Sequence, residues 1–246
     1  MPIIYLSPST QDWNHYASGG TEEYYMNLIA DAMEPYLRSS GIQFVRNTPD
    51  MTAASSIQAS NAGNYDLHVA LHSNAAPENE AGTRRGSEVY YDPRSWRGKR
   101  AAEIIAANLR RIYPLPDLVR ALPTTRLGEV TKTRAPAVLI EFAYHDNLED
   151  ERWIKENIQK IAMNVVQSLT EYFDIPFIPA QQPRIGIVNT QYTGLNVREK
   201  PWIGSEIIGR LYKGEKVTVW GTWNGWYVVQ SGNLVGYAAG QYIALQ

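Results

Sequence analysis

Near residue 180 the chain changes its rhythm, and that break limits what it can fold into more than any other feature. Ile175-Pro-Phe-Ile-Pro-Ala-Gln-Gln-Pro183 carries three prolines in nine residues and has neither a helical nor a strand period, so it reads as a linker. Ahead of it, short apolar runs alternate with helical patterns. Behind it, ten of the chain's 18 glycines and four of its seven tryptophans fall within 63 residues. Charge divides as well. Residues 184–246 hold six Lys/Arg against three Asp/Glu, a net +3, and residues 1–183 hold 17 against 22, a net -5. In a chain of 246 residues this implies two domains, 1–174 and 184–246, joined by 175–183.

The first domain has the pattern of an α/β protein. Ile3–Leu6 is a short apolar run suited to a buried strand. Thr21 then caps a helix to about Arg38, with Glu22 and Glu23 in the first turn and Gly41 past the end. Further strands are expected at Ile42–Val45, Asp66–Leu71, Gly86–Tyr91 and Ala137–Glu141, with helices over Arg97–Tyr113 and Leu148–Phe173. Strands alternating with amphipathic helices imply a mixed, largely parallel sheet covered by helices. After the linker, short β-type runs such as Val217–Trp220 and Trp226–Val229 are separated by Gly-containing turns, the pattern of a small all-β barrel.

Composition removes several functions. The net charge of -2 argues against a nucleic-acid binder with a broad basic face. No apolar stretch approaches the ~20 residues of a membrane helix. With no cysteine there are no disulfides, thiolate metal sites or cysteine nucleophiles. Met1-Pro-Ile-Ile-Tyr-Leu lacks a basic, apolar leader pattern, so the expectation is synthesis in the cytoplasm without ordinary export.

In an open α/β sheet, ligands collect beyond the carboxyl ends of the strands. The first strand delivers Ser9-Thr10-Gln11 there, the next helix opens on Glu22-Glu23, the third strand ends at His72-Ser73-Asn74, and Ala137–Ile140 runs into Glu141. A histidine and two carboxylates at one edge suit a zinc site with a general base. Each also has a plainer use. First-turn carboxylates complement the helix dipole, and a histidine ending a buried strand serves as a hydrogen-bonded core residue. Glu141 is the hardest to dismiss, because a carboxylate entering a buried layer costs several kcal/mol unless paired or metal-bound. Glu22 is expected to face solvent.

These pieces carry a resemblance. Tyr5-Leu-Ser-Pro-Ser, Glu22-Glu-Tyr-Tyr-Met-Asn27, Leu71-His-Ser-Asn-Ala75, Gly86-Ser-Glu-Val-Tyr-Tyr91, Val138-Leu-Ile-Glu141 and His145-Asp-Asn147, in this order across residues 1–174, resemble the zinc-dependent N-acetylmuramoyl-L-alanine amidases. The resemblance implies hydrolysis of the amide between the peptidoglycan lactyl group and L-alanine, with Zn2+ as cofactor. By position, Glu23 and His72 take two ligand places and Glu141 the catalytic glutamate's; Asn74, two residues past His72, is expected to bind substrate. The family's first ligand is a histidine directly after strand one, where this chain has Ser9-Thr10-Gln11. Gln11 through its amide oxygen, His15 four residues on, or no third protein ligand remain open. A branch of the family with Ser-Pro-Ser and then glutamine resembles the chain more closely and favours Gln11. His68, four residues back along the strand from His72 and so ~13 Å away, is no co-ligand and suits hydrogen bonding. His145 suits the pocket wall.

Gly194-Leu-Asn-Val-Arg-Glu-Lys-Pro201, Ile207–Gly214, Gly225-Trp-Tyr-Val-Val229 and Gly236-Tyr-Ala resemble the bacterial SH3-type domain, which implies anchoring to the peptide part of peptidoglycan. Trp202 and Trp223 are expected to bind substrate, with Trp220 and Tyr237 available to stack, while Trp226 is expected in the barrel core. The partner implied is the bacterial cell wall, with no nucleic acid and no membrane. A catalytic domain, a linker spanning at most ~28 Å and a wall-binding barrel match the parts of a phage lysin; a bacterial autolysin is the alternative setting. A metal-free wall-binding protein and a related zinc carboxypeptidase are the alternative functions. A 1–174 fragment is expected to fold and to cut soluble muropeptides, yet to lyse intact walls poorly.

Overall fold

The computed structural model describes residues 1–191 and 194–246. The chain divides into two compact units. The larger comprises Ile3–Met33 and Phe44–Tyr172; the smaller takes in Met1–Pro2 and Glu34–Gln43 together with Phe173–Gln246.

The elements before residue 174 are β1 (Ile3–Pro8), α1 (Glu22–Ser39), β2 (Gln43–Arg46), α2 (Ala53–Ala62), β3 (Leu67–Asn74), β4 (Ser87–Tyr91), α3 (Trp96–Leu109), β5 (Val119–Pro123), α4 (Gly128–Thr131), β6 (Ala137–Tyr144), α5 (Leu148–Glu156) and α6 (Ile158–Phe173), all in the larger unit but for Glu34–Ser39 of α1, Gln43 of β2 and Phe173 of α6. The sheet order is β2-β1-β3-β6-β4-β5. β1, β3 and β6 pair in parallel, and β4 runs antiparallel to β6. This is the mixed, largely parallel α/β sheet that the alternation of patterns implied. Its central strands β3 and β6 are apolar because both faces are covered: Leu67, Val69, Leu71, Val138 and Ile140 are all buried.

Local chemistry sets the helix starts. Thr21 Oγ1 accepts from Tyr24 N at the head of α1 (3.2 Å), and Asn147 accepts from Glu149 N and Asp150 N at the head of α5. The helix expected over Leu148–Phe173 is two, broken at Asn157, whose Nδ2 donates to Trp153 O. α2, β5 and α4 were not anticipated. α2 is opened by a Thr52/Ser55 capping box in a serine-rich stretch with little apolar period.

The smaller unit carries an antiparallel sheet of β7 (Arg184–Val188), β8 (Leu195–Arg198), β9 (Ile207–Leu211), β10 (Lys216–Trp223), β11 (Trp226–Ser231), β12 (Leu234–Ala239) and β13 (Ile243–Leu245), in the order β13-β7-β10-β11-β12-β8-β9. Its core gathers Val188, Leu195, Val197, Leu211, Val217, Val219, Val229, Ala238 and Ile243. Residues 175–183 are not a bare spacer. Ile178 is 1% exposed, its N–H donates to Ser40 Oγ (3.0 Å), and Gln181 N donates to Ser39 Oγ (3.0 Å). Tyr237 OH donates to Ser40 O (2.8 Å) in the same unit. The backbone approaches closely at Gly221, where a Cβ would lie 2.3 Å from Ser39 O.

These contacts revise the fragment's expected behaviour. A chain cut after residue 174 leaves Glu34–Gln43 without the buried partners it has in its own unit, so it is expected to melt several degrees below the full chain. Calorimetry of the two proteins checks this, and equal Tm values would contradict it. No helix among the described residues is long and apolar enough to cross a membrane.

Candidate active site

The carboxyl ends of β1, β3 and β6 meet the head of α1 and the short helix α4. His72, near the end of β3, is buried with both ring nitrogens engaged. Nδ1 lies 2.7 Å from Glu22 Oε1, and Nε2 lies 3.0 Å from Glu129 Oε2. Burial alone would lower the His72 pKa. The bonds to Glu129 and Glu22 outweigh it and hold the ring well above its ordinary value. In turn, Glu22 and Glu129 are pulled below the usual carboxylate range against the opposing effect of their own burial, Glu22 chiefly by His72 and Glu129 chiefly by His68 and His72. The ring is thus clamped between two carboxylates.

Glu22, expected in solvent, is 1% exposed, and this expectation is corrected. Its Oε2 accepts from Asn14 Nδ2 (2.6 Å), and Oε1 faces Ser73 N (3.4 Å) as well as His72. Glu23, the carboxylate expected at the metal, is turned instead to Asn27, whose Nδ2 donates to Glu23 Oε1 (3.2 Å) and O (2.8 Å). Adjacent helical residues point about 100° apart, so only one of the pair can look down on β3. Gln11 is half-buried with Nε2 3.4 Å from His72 Nδ1, and its Oε1 accepts from Asn14 Nδ2 (3.2 Å). His15 is exposed on the loop, in an isolated bridge with Thr21.

Register supplies the remaining carboxylates. Glu141 on β6 is opposite His72 on β3, and Glu88 on β4 is opposite Glu141. The β3–β6 register shifts between His72 and Asn74, a bulge of the kind found beside active sites. Asn74 Nδ2 donates to Glu88 Oε2 (3.1 Å), which also accepts from Tyr90 OH (2.6 Å). The Glu141 Oε2 oxygen is enclosed and has no hydrogen-bond partner. Burial pushes the Glu141 carboxyl up to about 8; His72 draws it down, and Glu22, Glu88 and Glu129 push it further up.

The other two histidines are buried. His68 Nε2 lies 3.3 Å from Glu129 Oε1 and Nδ1 lies 3.0 Å from Ser60 Oγ. His145 stacks on Tyr16, with Nδ1 at 3.0 Å from Ser73 Oγ and 2.9 Å from Ser73 O. Glu129 escaped the sequence reading because Leu127-Gly-Glu-Val130 has no motif; it reaches the site only because α4 packs against β3 and β6.

Among the described residues no group of three or more His, Asp or Glu side chains is arranged to hold a metal ion. Glu22 Oε1 (2.7 Å) and Gln11 Nε2 (3.4 Å) both lie against His72 Nδ1, and Glu141, whose Oε2 has no partner, stands in register opposite His72. A carboxylate, an imidazole nitrogen and an amide fit a three-ligand catalytic site in number and, through the neutral amide, only weakly in charge.

In the smaller unit, Trp202 and Trp223 are exposed (57% and 36%). A groove of about 1090 Å³ is walled by Leu195, Ile203, Trp226 and Tyr242 among others, with Thr190 beside them. Trp226, expected in the core, is half-buried on this groove. Trp220 is held by Gln230, which accepts from its indole N–H (2.8 Å).

A largely parallel sheet carries a histidine and carboxylates at its carboxyl edge, and the chain belongs to the N-acetylmuramoyl-L-alanine amidase family, whose model matches residues 9–171. Residues 193–244 match the bacterial SH3 domain. The N-acetylmuramoyl-L-alanine amidase LytC of Bacillus subtilis (strain 168) is 29% identical over 164 residues, covering 64% of this chain and 32% of that protein, so the chain spans about a third of its relative's length. Solved structures share the fold. An N-acetylmuramoyl-L-alanine amidase from Clostridium difficile 630 has a TM-score of 0.62 at 18% identity over 70% of this chain and 97% of its own. The amidase AmiC2 of Nostoc punctiforme has 0.61 at 18% over the same shares. The catalytic domain of the CD27L endolysin, described as targeting Clostridia Difficile, has 0.56 at 24%, again over 70% and 97%.

Proposed function

We propose that this protein is a peptidoglycan hydrolase that cleaves the amide between the N-acetylmuramoyl lactyl group and L-alanine, with zinc held by Glu22, His72 and Gln11. The observation that carries this reading is the buried, unpartnered Glu141 oxygen on the strand position opposite His72, whose Nδ1 faces Glu22, at the carboxyl edge of an amidase-family sheet. Zinc, when bound, supplies a water of lowered pKa and a Lewis acid for the carbonyl. Glu141 accepts the proton of the attacking water and returns it to the departing L-alanine nitrogen as the C–N bond breaks. The products are a free lactyl carboxylate and a free amino group. Glu88, through Asn74 and Tyr90, lines the same row and suits substrate orientation. In the second unit, the groove at Trp226 and Tyr242, with Trp202 and Trp223 near the surface, suits wall peptide.

Digestion of purified walls with mass spectrometry of the products tests the bond. New L-alanine amino termini with free lactyl groups are expected; released stem-peptide amino acids without free lactyl groups would mean a carboxypeptidase instead. One observation favours a second reading, a wall-binding protein without a metal: His72 has a carboxylate on each nitrogen, and among the described residues no three His, Asp or Glu side chains are grouped to hold a metal ion. Metal analysis decides, since about one equivalent of zinc per chain rejects that reading and none at neutral pH establishes it. The pairing of a catalytic unit with a wall-binding unit, and the fold shared with an endolysin catalytic domain, support a phage lysin. Lysis of intact cells by externally added protein is the expected behaviour.

A further inference from the structure

We infer that Glu129, held from behind by Ser7 and His68, is a positioning residue that takes the Nε2–H of His72 and thereby keeps Nδ1 on the side of Glu22 and Gln11. The inference rests on the reading of that side as the zinc site. The two nitrogens of an imidazole are not independent: a hydrogen bond from one N–H to a carboxylate fixes the tautomer and leaves the other nitrogen as the donor to a metal. Here the carboxylate on Nε2 is Glu129 Oε2, at 3.0 Å, on the side of the ring away from Glu22.

Glu129 is itself immobilised. Ser7 Oγ donates to its Oε1 (2.5 Å), and His68 Nε2 lies 3.3 Å from the same oxygen. His68 is in turn anchored at Ser60 Oγ, and Asn47 Nδ2 donates to both Ser7 Oγ (3.4 Å) and Ser56 Oγ (3.0 Å). β1, β3, α2 and α4 each contribute to this arrangement, and Glu129 is only 6% exposed. On α4 it is the next residue, Val130, that packs with Ala70 and Leu139, and an apolar side chain at 129 would not bury a carboxylate, so packing does not account for Glu129. Its one outlet toward the site is His72. Glu129 sits on the opposite nitrogen from Glu22, so it does not replace the missing first histidine as a ligand; it prepares the histidine that remains.

The test uses the full chain with 15N-labelled histidine, titrated with zinc alone. Zinc-loaded wild type is expected to show His72 with its proton on Nε2. In Glu129→Ala that proton signal is lost and zinc affinity falls roughly 10–100-fold. Glu129→Gln, whose amide oxygen still accepts from Nε2–H, is expected to stay within a few-fold of wild type, a rescue that a purely electrostatic role would not give. If Glu129→Ala does not fold, His68→Asn loosens Glu129 without touching His72 and is expected to weaken zinc binding several-fold. Zinc affinity within twofold of wild type in both Glu129→Ala and His68→Asn, or an unaltered Nε2–H signal in Glu129→Ala, overturns the inference. A wild-type chain that binds no zinc overturns the metal reading; the Nε2–H signal of metal-free His72, present in wild type and lost in Glu129→Ala, then still decides whether Glu129 holds the ring.

Discussion

Glu141→Gln is expected to lower amide hydrolysis by about 10²–10⁴-fold, the usual contribution of a positioned general base, and at the same time to stabilise the metal-free protein at pH 8. The two effects share one cause. Folding places the carboxyl where its pKa is about 8 against an ordinary 4.5. Between those values the folded chain keeps a proton that the unfolded chain has released. Stability from this group is therefore complete below about pH 4.5 and is lost as pH rises through 8. Glutamine cannot ionise, so the variant escapes that loss. At about 1.4 kcal/mol per pKa unit, the gain near pH 8 is at most about 4 kcal/mol. His72, with its pKa also raised, contributes a slope of the same sign, so the quantity to measure is the difference between wild type and variant in urea midpoint from pH 5 to 8.5 without zinc. Parallel curves for the two proteins would contradict the raised pKa, and unaltered turnover in the variant would remove Glu141 from the role of base. This is the trade between stability and activity expected at a strained functional site.

The second large effect separates neighbours. Glu22→Gln is expected to abolish stoichiometric zinc binding and with it nearly all activity, while Glu23→Gln stays within about twofold of wild type. Glu22 is enclosed against His72, Asn14 and Ser73, whereas half-buried Glu23 bonds Asn27 one turn along the helix. Removing one member of a buried charge pair costs about 3–5 kcal/mol, so metal-free Glu22→Gln should also melt lower. Bound zinc and muropeptide release measured on both variants check this. The reverse ranking would return the ligand place to Glu23.

Much of the frame was legible from the chain alone. Ile3–Leu6, Asp66–Leu71 and Ala137–Glu141 read as buried strands because their apolar runs are too short for helices and too continuous for a half-exposed sheet. Thr21 and the acidic pair after it marked the head of α1, and the edge of the sheet was where His72 and Glu141 were sought. α2 was missed because its serines and alanines carry almost no amphipathic period, and the break at Asn157 because an apolar pattern runs through it.

What sequence determined by itself was therefore the set of elements with strong period, the two compositions, and which edge would carry chemistry; these depend on residues near one another in the chain. Tertiary structure decided the rest. It turned Glu22 toward His72 and Glu23 toward Asn27, because a helix's rotation about its axis is set by what it packs on, not by its own residues. It brought Glu129 across 57 residues to His72 and joined His68 to the same carboxylate. It also gave residues 175–183 buried partners at Ser39 and Ser40. Each of these depends on distances between elements, and a buried charge or ring takes its chemistry from whatever the fold sets beside it.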